Sequence, residues 1–402
     1  MTDERAGRTE AYDYELPAEL IAARPAARRD ASRLLVLDRA RGRFTDAAFP
    51  ALLGRLSAGD AVVVNDSRVF PARLLGRKPT GARAEILLVR PESESESESH
   101  ALPPFAPFDE ADTRLWRAMV RPGGKLKPGR TVDIADEFAV EILDSAPDGT
   151  RLVRLAGDGD PWSLIQRHGR VPLPPYIVRD DPGGERGGGA AGEARPRRDG
   201  LRRACDDADD RERYQTVYAA PSGSVAAPTA GLHLTREMLA TIDARGVRLV
   251  SLTLHVGFGT FRPVTADRID EHEVAPEAYS FSSSAAEALN ATRAGGGRVF
   301  AVGTTSCRVL ETVAADGGLA ADGGVPAGGS FAPGRGWTDL FIRPPYTFRA
   351  VDALVTNFHL PRSSLLMLVA AFAGRELTLE AYAHAIRKRY RFYSYGDAML
   401  IT

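Results

Sequence analysis

Ala61-Val62-Val63-Val64-Asn65-Asp66-Ser67 is the stretch on which the fold turns. A continuous β-branched run with no polar alternation suits a strand buried on both faces, and such strands belong to α/β sheets flanked by helices. The run stops at three consecutive polar turn formers, so the chain leaves the sheet abruptly there. Upstream, Leu34-Leu35-Val36-Leu37 predicts a second strand, residues 49–56 predict a helix between the two, and residues 17–23 form a short amphipathic stretch.

Downstream the texture changes. From 72 to about 156 the chain consists of short alternating runs separated by Lys78-Pro79-Thr80-Gly81, Pro122-Gly123-Gly124 and Pro147-Asp148-Gly149, with no helical pattern between them. Strands at that spacing predict a small antiparallel β-barrel inserted over residues 71–157. The α/β rhythm returns after Tyr214. Residues 235–245 predict a helix with Thr235 as N-cap and Gly246 just past its end, and strands are expected at 247–254, 298–302 and 351–356. Helices follow the second and third. The expected fold is α/β: a layered domain with a largely parallel sheet, formed by residues 1–70 and 158–402, carrying the inserted barrel. The Ser/Glu alternation at 92–99 and the Gly/Arg-rich stretch 180–210 read as disordered insertions, because neither can bury apolar surface.

A chain of 402 residues with a net charge of -1 offers a sizeable core but no global attraction for polyanions, so any nucleic-acid contact must rest on a local basic patch. Cys205 and Cys307 are too few for a disulfide framework or a Cys-rich zinc cage. The charged start MTDERAGRTE lacks an apolar targeting segment, and the longest apolar run, 365–373, falls short of the roughly 20 residues a membrane span needs. A soluble cytoplasmic protein without metal or membrane contact is expected, and oligomeric state is not written in the sequence.

In open α/β sheets ligands bind at the carboxyl ends of strands. The expected strands end in Asn65-Asp66-Ser67-Arg68, His255-Val256-Gly257-Phe258-Gly259-Thr260, Gly303-Thr304-Thr305-Ser306 and Asn357-Phe358-His359, so the site is placed there, together with Ala227-Pro228-Thr229-Ala230-Gly231-Leu232-His233. Gly303-Thr304-Thr305-Ser306 precedes a helix expected at 307–315; free N–H groups there can receive a carboxylate or phosphate, or Thr and Ser can simply cap the helix. Arg308 and Glu311 either extend that site or pair with each other. His233, His255 and His359 are candidate acid/base groups on near-neutral reference pKa alone, although an isolated histidine also serves as a hydrogen-bonded structural group. Gly257 and Gly259 do not follow GxGxxG; they allow close approach of a ligand or backbone, or a tight turn. Residues Arg387, Lys388, Arg389, Arg391, Tyr393 and Tyr395 interleave cations with aromatics, which suits phosphates and unpaired bases. The alternative is a helix with its rings packed inward and its cations solvated.

The segments SRLLVLD, GDAVVVNDSRVFPARLLGRK, VPLPPYI, RERYQTVYA, VAAPTAGLHLT, TLHVGFGTFRPV, AVGTTSCRVLE, VDALVTNFHLP and YRFYSYGDAML occur in that order from about Tyr12 onward. In this the chain resembles the S-adenosylmethionine:tRNA ribosyltransferase-isomerases of queuosine biosynthesis. The resemblance implies transfer and isomerisation of the ribosyl moiety of S-adenosylmethionine onto 7-aminomethyl-7-deazaguanine at the tRNA wobble position, giving epoxyqueuosine and releasing adenine and methionine. S-adenosylmethionine is then a consumed substrate, and an α/β domain with an inserted barrel is the implied architecture. The sulfonium acidifies the adjacent ribose carbon, so proton transfers are needed, with His233, His255, His359 and Asp397 as candidates. By position in the matching blocks, Thr304, Thr305, Arg308 and Glu311 hold the methionine or sugar end, while Asn65 and Arg73 face the nucleobase or phosphate; Thr229, Gly231, Gly257, Gly259 and Asn357 complete the expected substrate contacts. The chain departs from the family at His272-Glu273-Val274-Ala275-Pro276-Glu277, where Ala275 stands in place of a second histidine. Other readings are a non-catalytic tRNA-binding protein on the same fold, or a different S-adenosylmethionine-consuming transferase.

Overall fold

The computed structural model describes residues 7–92, 114–174, 176–177, 208–257, 259, 264–316 and 330–402. Residues 93–99 and 180–207 of the two expected insertions, and with them Cys205, Phe258 and Thr260, lie outside the described residues.

After three 3-10 helices, Thr9–Tyr12, Ala18–Leu20 and Arg29–Ala31, the chain forms an antiparallel hairpin, β1 (Arg33–Asp38) and β2 (Arg43–Ala48), then passes through a fourth, Phe49–Arg55, into β3 (Ala61–Asn65). The α-helix expected at 49–56 does not form. A proline in its first turn and Gly54 near its end leave a seven-residue segment with too little helical support, and the tighter turn results. After the short β4 (Arg68–Val69) come β5 (Arg73–Arg77), β6 (Arg83–Pro91), β7 (Leu115–Arg121), β8 (Thr131–Ala135), β9 (Phe138–Ser145) and β10 (Arg151–Gly157). These six close into an antiparallel barrel in the order β10-β7-β6-β5-β8-β9. Strict alternation on β9, with Phe138, Val140 and Ile142 buried, sends one face of the strand into a core shared with Trp116 and Val153.

The remaining elements are α1 (Pro161–His168), α2 (Ala208–Arg213), β11 (Ser222–Ser224), α3 (Arg236–Ala244), β12 (Arg248–Leu254), β13 (Glu277–Phe281), α4 (Ser283–Ala294), β14 (Val299–Val302), α5 (Thr304–Asp316), β15 (Gly334–Thr338), β16 (Ala353–Asn357), α6 (Ser364–Ala373), α7 (Arg375–Arg387) and β17 (Ala398–Ile401). A nine-stranded sheet runs β15-β13-β12-β3-β14-β16-β17-β1-β2. Its centre, β12-β3-β14-β16, is parallel throughout, and antiparallel strands finish its margins. Both faces of β3 are covered: Ala61 and Val63 pack with Leu289, Val309 and Leu366, while Val62 and Val64 pack with Phe49, Met238 and Ile242. That is why an unbroken apolar run is required there.

Thr235 caps α3 by accepting from the Met238 N–H at 3.2 Å, and Gly246 beyond its end takes φ +72°. Part of the stretch expected to be disordered is ordered: α2 is anchored where buried Asp210 accepts from the Tyr395 hydroxyl at 2.7 Å. Glu92, the first residue of the expected acidic loop, is likewise buried and bridges Arg90 and Arg117 at 3.0 and 2.9 Å. Where the barrel joins the sheet domain, Arg73 and Arg170 exchange two backbone hydrogen bonds of 3.1 and 2.9 Å. Among the described residues no helix is long and apolar enough to cross a membrane.

Candidate active site

Parallel pairing brings the carboxyl ends of β14 and β16 together, and a cleft opens above them. The 3-10 helix Thr229–His233 forms one wall, the first turn of α5 a second, and Tyr393-Ser394 a third. Gly303 makes the strand-to-helix turn at φ +94°, a conformation that L side chains rarely adopt. The helix starts at Thr304, three residues earlier than expected, so Thr304 and Thr305 lie in its first turn and both line the cleft. First-turn N–H groups have no intrahelical partner, and the dipole adds positive character. Ser306 faces away, donating to the Val302 carbonyl at 2.8 Å. The Thr305 hydroxyl is different: only 7% of the residue is exposed, and its oxygen has no hydrogen-bond partner among the described residues.

Of the candidate proton-transfer groups, His359 alone lines this cleft among the described residues. Its Nε2 lies 2.7 Å from the Thr356 hydroxyl, its backbone N–H donates to the Tyr382 hydroxyl at 3.0 Å, and its backbone carbonyl accepts from Tyr14. Burial pushes its pKa down to about 3, so the ring is neutral at pH 7. His233 sits behind the wall. Asn357 Nδ2 is fixed as the donor because it also points at the carbonyls of Tyr393 and Asp397, both acceptors, while Thr229 donates to Oδ1 at 3.0 Å. His233 Nε2, 3.2 Å from that amide, is therefore an acceptor, and Nδ1 carries the proton toward Ser32 Oγ at 2.7 Å. Burial lowers the His233 pKa to about 4, against the opposing charge of Asp397. At the end of β12, Val256 rather than His255 lines the cleft; His255 is buried, with its N–H on the Ala278 carbonyl.

Asp397 lies outside the cleft: its carboxylate receives the Arg33 and Arg391 N–H groups at 2.9 and 2.8 Å and an ion pair from Arg33 at 3.1 Å. Arg308 and Glu311 also lie outside it and do not pair with each other. Arg308 meets Glu277 and the carbonyls of Leu340 and Thr338 (both 3.2 Å), tying α5 to the antiparallel margin of the sheet. Glu311 accepts the backbone N–H groups of Arg349, Ala350 and Val351 at 2.9, 3.0 and 3.2 Å, holding the turn before β16; burial raises its pKa despite these bonds. Asn65 links the ends of β3 and β12 through both atoms of the Leu254 peptide, and Arg73 pairs with Glu85 in the barrel at 3.2 Å. Gly231 is a packing requirement, since a Cβ there falls 2.0 Å from the Tyr218 hydroxyl. Gly257 donates to Glu277 at 2.7 Å, and the exposed Gly259 lies near Ala275, with a Cβ on it 3.4 Å from the Ala275 Cβ.

The expected RNA grip is rearranged. Tyr390, Phe392, Tyr393 and Tyr395 are buried, so none offers an outward face for a base to stack on; Tyr393 instead lines the cleft. Arg387, Lys388 and Arg389 are exposed, Arg391 is half-buried on the Arg24 carbonyl, and helix α7 ends before the aromatics begin. Sequence reasoning missed Tyr176, whose hydroxyl meets Ser394 at 2.5 Å across the cleft wall; its signal was its place in VPLPPYI, away from any strand end.

A cleft at the ends of parallel strands, with a helix start at one end and a neutral imidazole beside it, defines a ligand-binding α/β protein with an inserted β-barrel. The model of the family described as queuosine biosynthesis protein matches residues 9–401, and the chain belongs to that family. A curated relative from Acetivibrio thermocellus, an S-adenosylmethionine:tRNA ribosyltransferase-isomerase, is 42% identical over 392 residues, covering 97% of this chain and 98% of the relative. The crystal structure of an S-adenosylmethionine tRNA ribosyltransferase from Thermotoga maritima aligns at 34% identity and a TM-score of 0.48, over 98% of this chain and all of that one (100%).

Proposed function

We propose that this chain transfers and isomerises the ribosyl moiety of S-adenosylmethionine onto 7-aminomethyl-7-deazaguanine at the wobble position of tRNA, forming epoxyqueuosine-tRNA with release of adenine and methionine. The observation that carries the reading is the 42% identity to the Acetivibrio ribosyltransferase-isomerase along nearly the whole of both chains. The cleft supports it: it lies at the carboxyl ends of parallel strands and sets apolar Val256, Phe358 and Leu365 beside polar Thr304, Thr305, Asn357 and His359.

In this reading S-adenosylmethionine is a consumed substrate. Its carboxylate meets the first turn of α5, where Thr305 supplies a hydroxyl, and its apolar parts lie against Val256, Phe358 and Leu365. The sulfonium acidifies the adjacent ribose carbon, and His359 is assigned to take that proton because, among the candidate groups described, it is the one that lines the cleft. Adenine then departs, the aminomethyl nitrogen of the nucleobase attacks the activated sugar and loses a proton, and ring closure to the epoxide breaks the carbon–sulfur bond and expels methionine. His233 acts at one remove, holding the Asn357 amide that receives Thr229. A tRNA substrate fits a cytoplasmic protein.

Incubation of purified protein with S-adenosylmethionine and tRNA bearing the aminomethyl base tests the reading. Adenine release that requires the tRNA, with a mass gain on the tRNA, is expected. Binding without adenine release points to a non-catalytic tRNA-binding protein, and adenine release indifferent to tRNA points to another transferase.

A further inference from the structure

A second, smaller cavity lies beside the cleft, and Ser394 lines both. The His233–Asn357 hydrogen bond of 3.2 Å stands between them, with His233 on the second cavity and Asn357 on the cleft. Arg28, Arg29 and Arg213 line this second space together with Ser32. Arg28 pairs with Asp30 at 2.9 Å. The other two guanidiniums are held by neutral acceptors only: Arg29 by the carbonyls of Glu212, Leu232 and Arg213 at 3.0, 3.4 and 3.5 Å, and Arg213 by those of Ala26 and Ala27 at 2.6 and 3.3 Å. Among the described residues neither has a carboxylate ion-pair partner. Both are half-buried.

Carbonyls orient a guanidinium without neutralising it, so two fixed positive charges face one small concavity. Burial, then the Arg213 charge, lower the Arg29 pKa, with Glu212 opposing, as expected of like charges held near each other in a half-buried place. His233 adds no charge near pH 7, and Asp397, which faces it, is already paired with Arg33. Arginine forks of this kind match the oxygens of phosphate. We propose that this cavity binds a phosphate group, supplied by the phosphodiester of the RNA strand next to the nucleotide whose base occupies the cleft. The assignment of the source rests on the tRNA reaction proposed above; the anion site itself does not.

The test uses the full chain and an anticodon stem-loop RNA bearing the aminomethyl base, with affinity measured by fluorescence anisotropy across a salt series. Arg29→Gln combined with Arg213→Gln is expected to weaken binding about tenfold and to reduce the log–log salt slope by about 0.7, the amount for one fewer phosphate neutralised on a single strand. Replacing the phosphate flanking the modified nucleotide by an uncharged methylphosphonate is expected to weaken the unaltered protein by the same factor and to leave the double variant indifferent. The methylphosphonate arm needs no variant, and Arg29→Lys with Arg213→Lys, which keeps the charge, is expected to retain part of the affinity. Equal weakening in both proteins, or in neither, overturns the RNA assignment. If inorganic phosphate raises the melting temperature of the unaltered protein but not of the double Gln variant while the methylphosphonate is without effect, the cavity holds free phosphate and the RNA source is wrong. Inorganic phosphate without effect on either protein, together with RNA binding that ignores both arginines, removes the anion site and leaves the proposed reaction untouched. Phosphate stabilisation without any RNA binding does the reverse.

Discussion

A hydroxyl buried without a partner costs stability, and Thr305 is in that position at the start of α5. Thr305→Val keeps the shape and removes the polar atom. We expect an unchanged or higher melting temperature and a KM for S-adenosylmethionine raised about tenfold, the low end for a hydrogen bond to a charged group, read by steady-state kinetics. His359 and His233 carry a pH signature. Both folded pKa values, about 3 and about 4, lie below the reference 6.5, so between those limits the unfolded chain binds more protons than the folded one. Stability is therefore complete above pH 6.5 and lost as pH falls, by about 2 kcal/mol per histidine at pH 5. Calorimetric melting between pH 7 and pH 5 checks the sign, and His359→Gln is expected to flatten the slope while lowering adenine release by at least about a hundredfold. The histidines were visible in the sequence, but their division was not: whether a ring faces the cleft or hides behind Asn357 depends on contacts such as Ser32 to His233, which lie far apart in the chain.

At the scale of elements, periodicity carried further. The β-branched run of β3, the caps of α3 and the turn chemistry between barrel strands are local signals, and each formed as its residues predict. Local signals failed where long-range partners decide. The spacing of Arg308 and Glu311 suggests one ion pair on a helix, yet the first reaches a strand and the second a turn beyond the helix. Glu311→Ala leaves three backbone N–H groups without an acceptor and is expected to cost about 3 kcal/mol, measured by urea denaturation, with the KM for S-adenosylmethionine unchanged in the fraction that stays folded. A substrate contact gives the opposite pattern, a raised KM at constant stability. The same argument covers 387–395, where interleaved cations and rings suit RNA or a packed core equally well in the sequence, and the fold buries the rings while leaving Arg387, Lys388 and Arg389 exposed.

On the scale of the whole molecule, the barrel joins the sheet domain where Arg73 pairs with Arg170, next to Gly169. A Cβ on Gly169 falls 2.0 Å from the Pro71 carbonyl oxygen and 2.5 Å from that of Ile165, both backbone atoms that cannot move aside. Gly169→Ala is expected to lower stability by about 3 kcal/mol and to split one calorimetric transition into two as barrel and sheet melt apart. The barrel's strands lie together between Arg73 and Gly157, so it can fold while the chain is being made. The sheet cannot, because β17 fits between β16 and β1: Leu34 waits for Ala398, and Tyr393 and Ser394 of the cleft wall come just before it. Translation thus completes the reaction chamber only after Tyr393 and Ser394 have been made, and a ribosome that stalls before Tyr393 releases a product that has a barrel but neither a finished sheet nor a complete pocket.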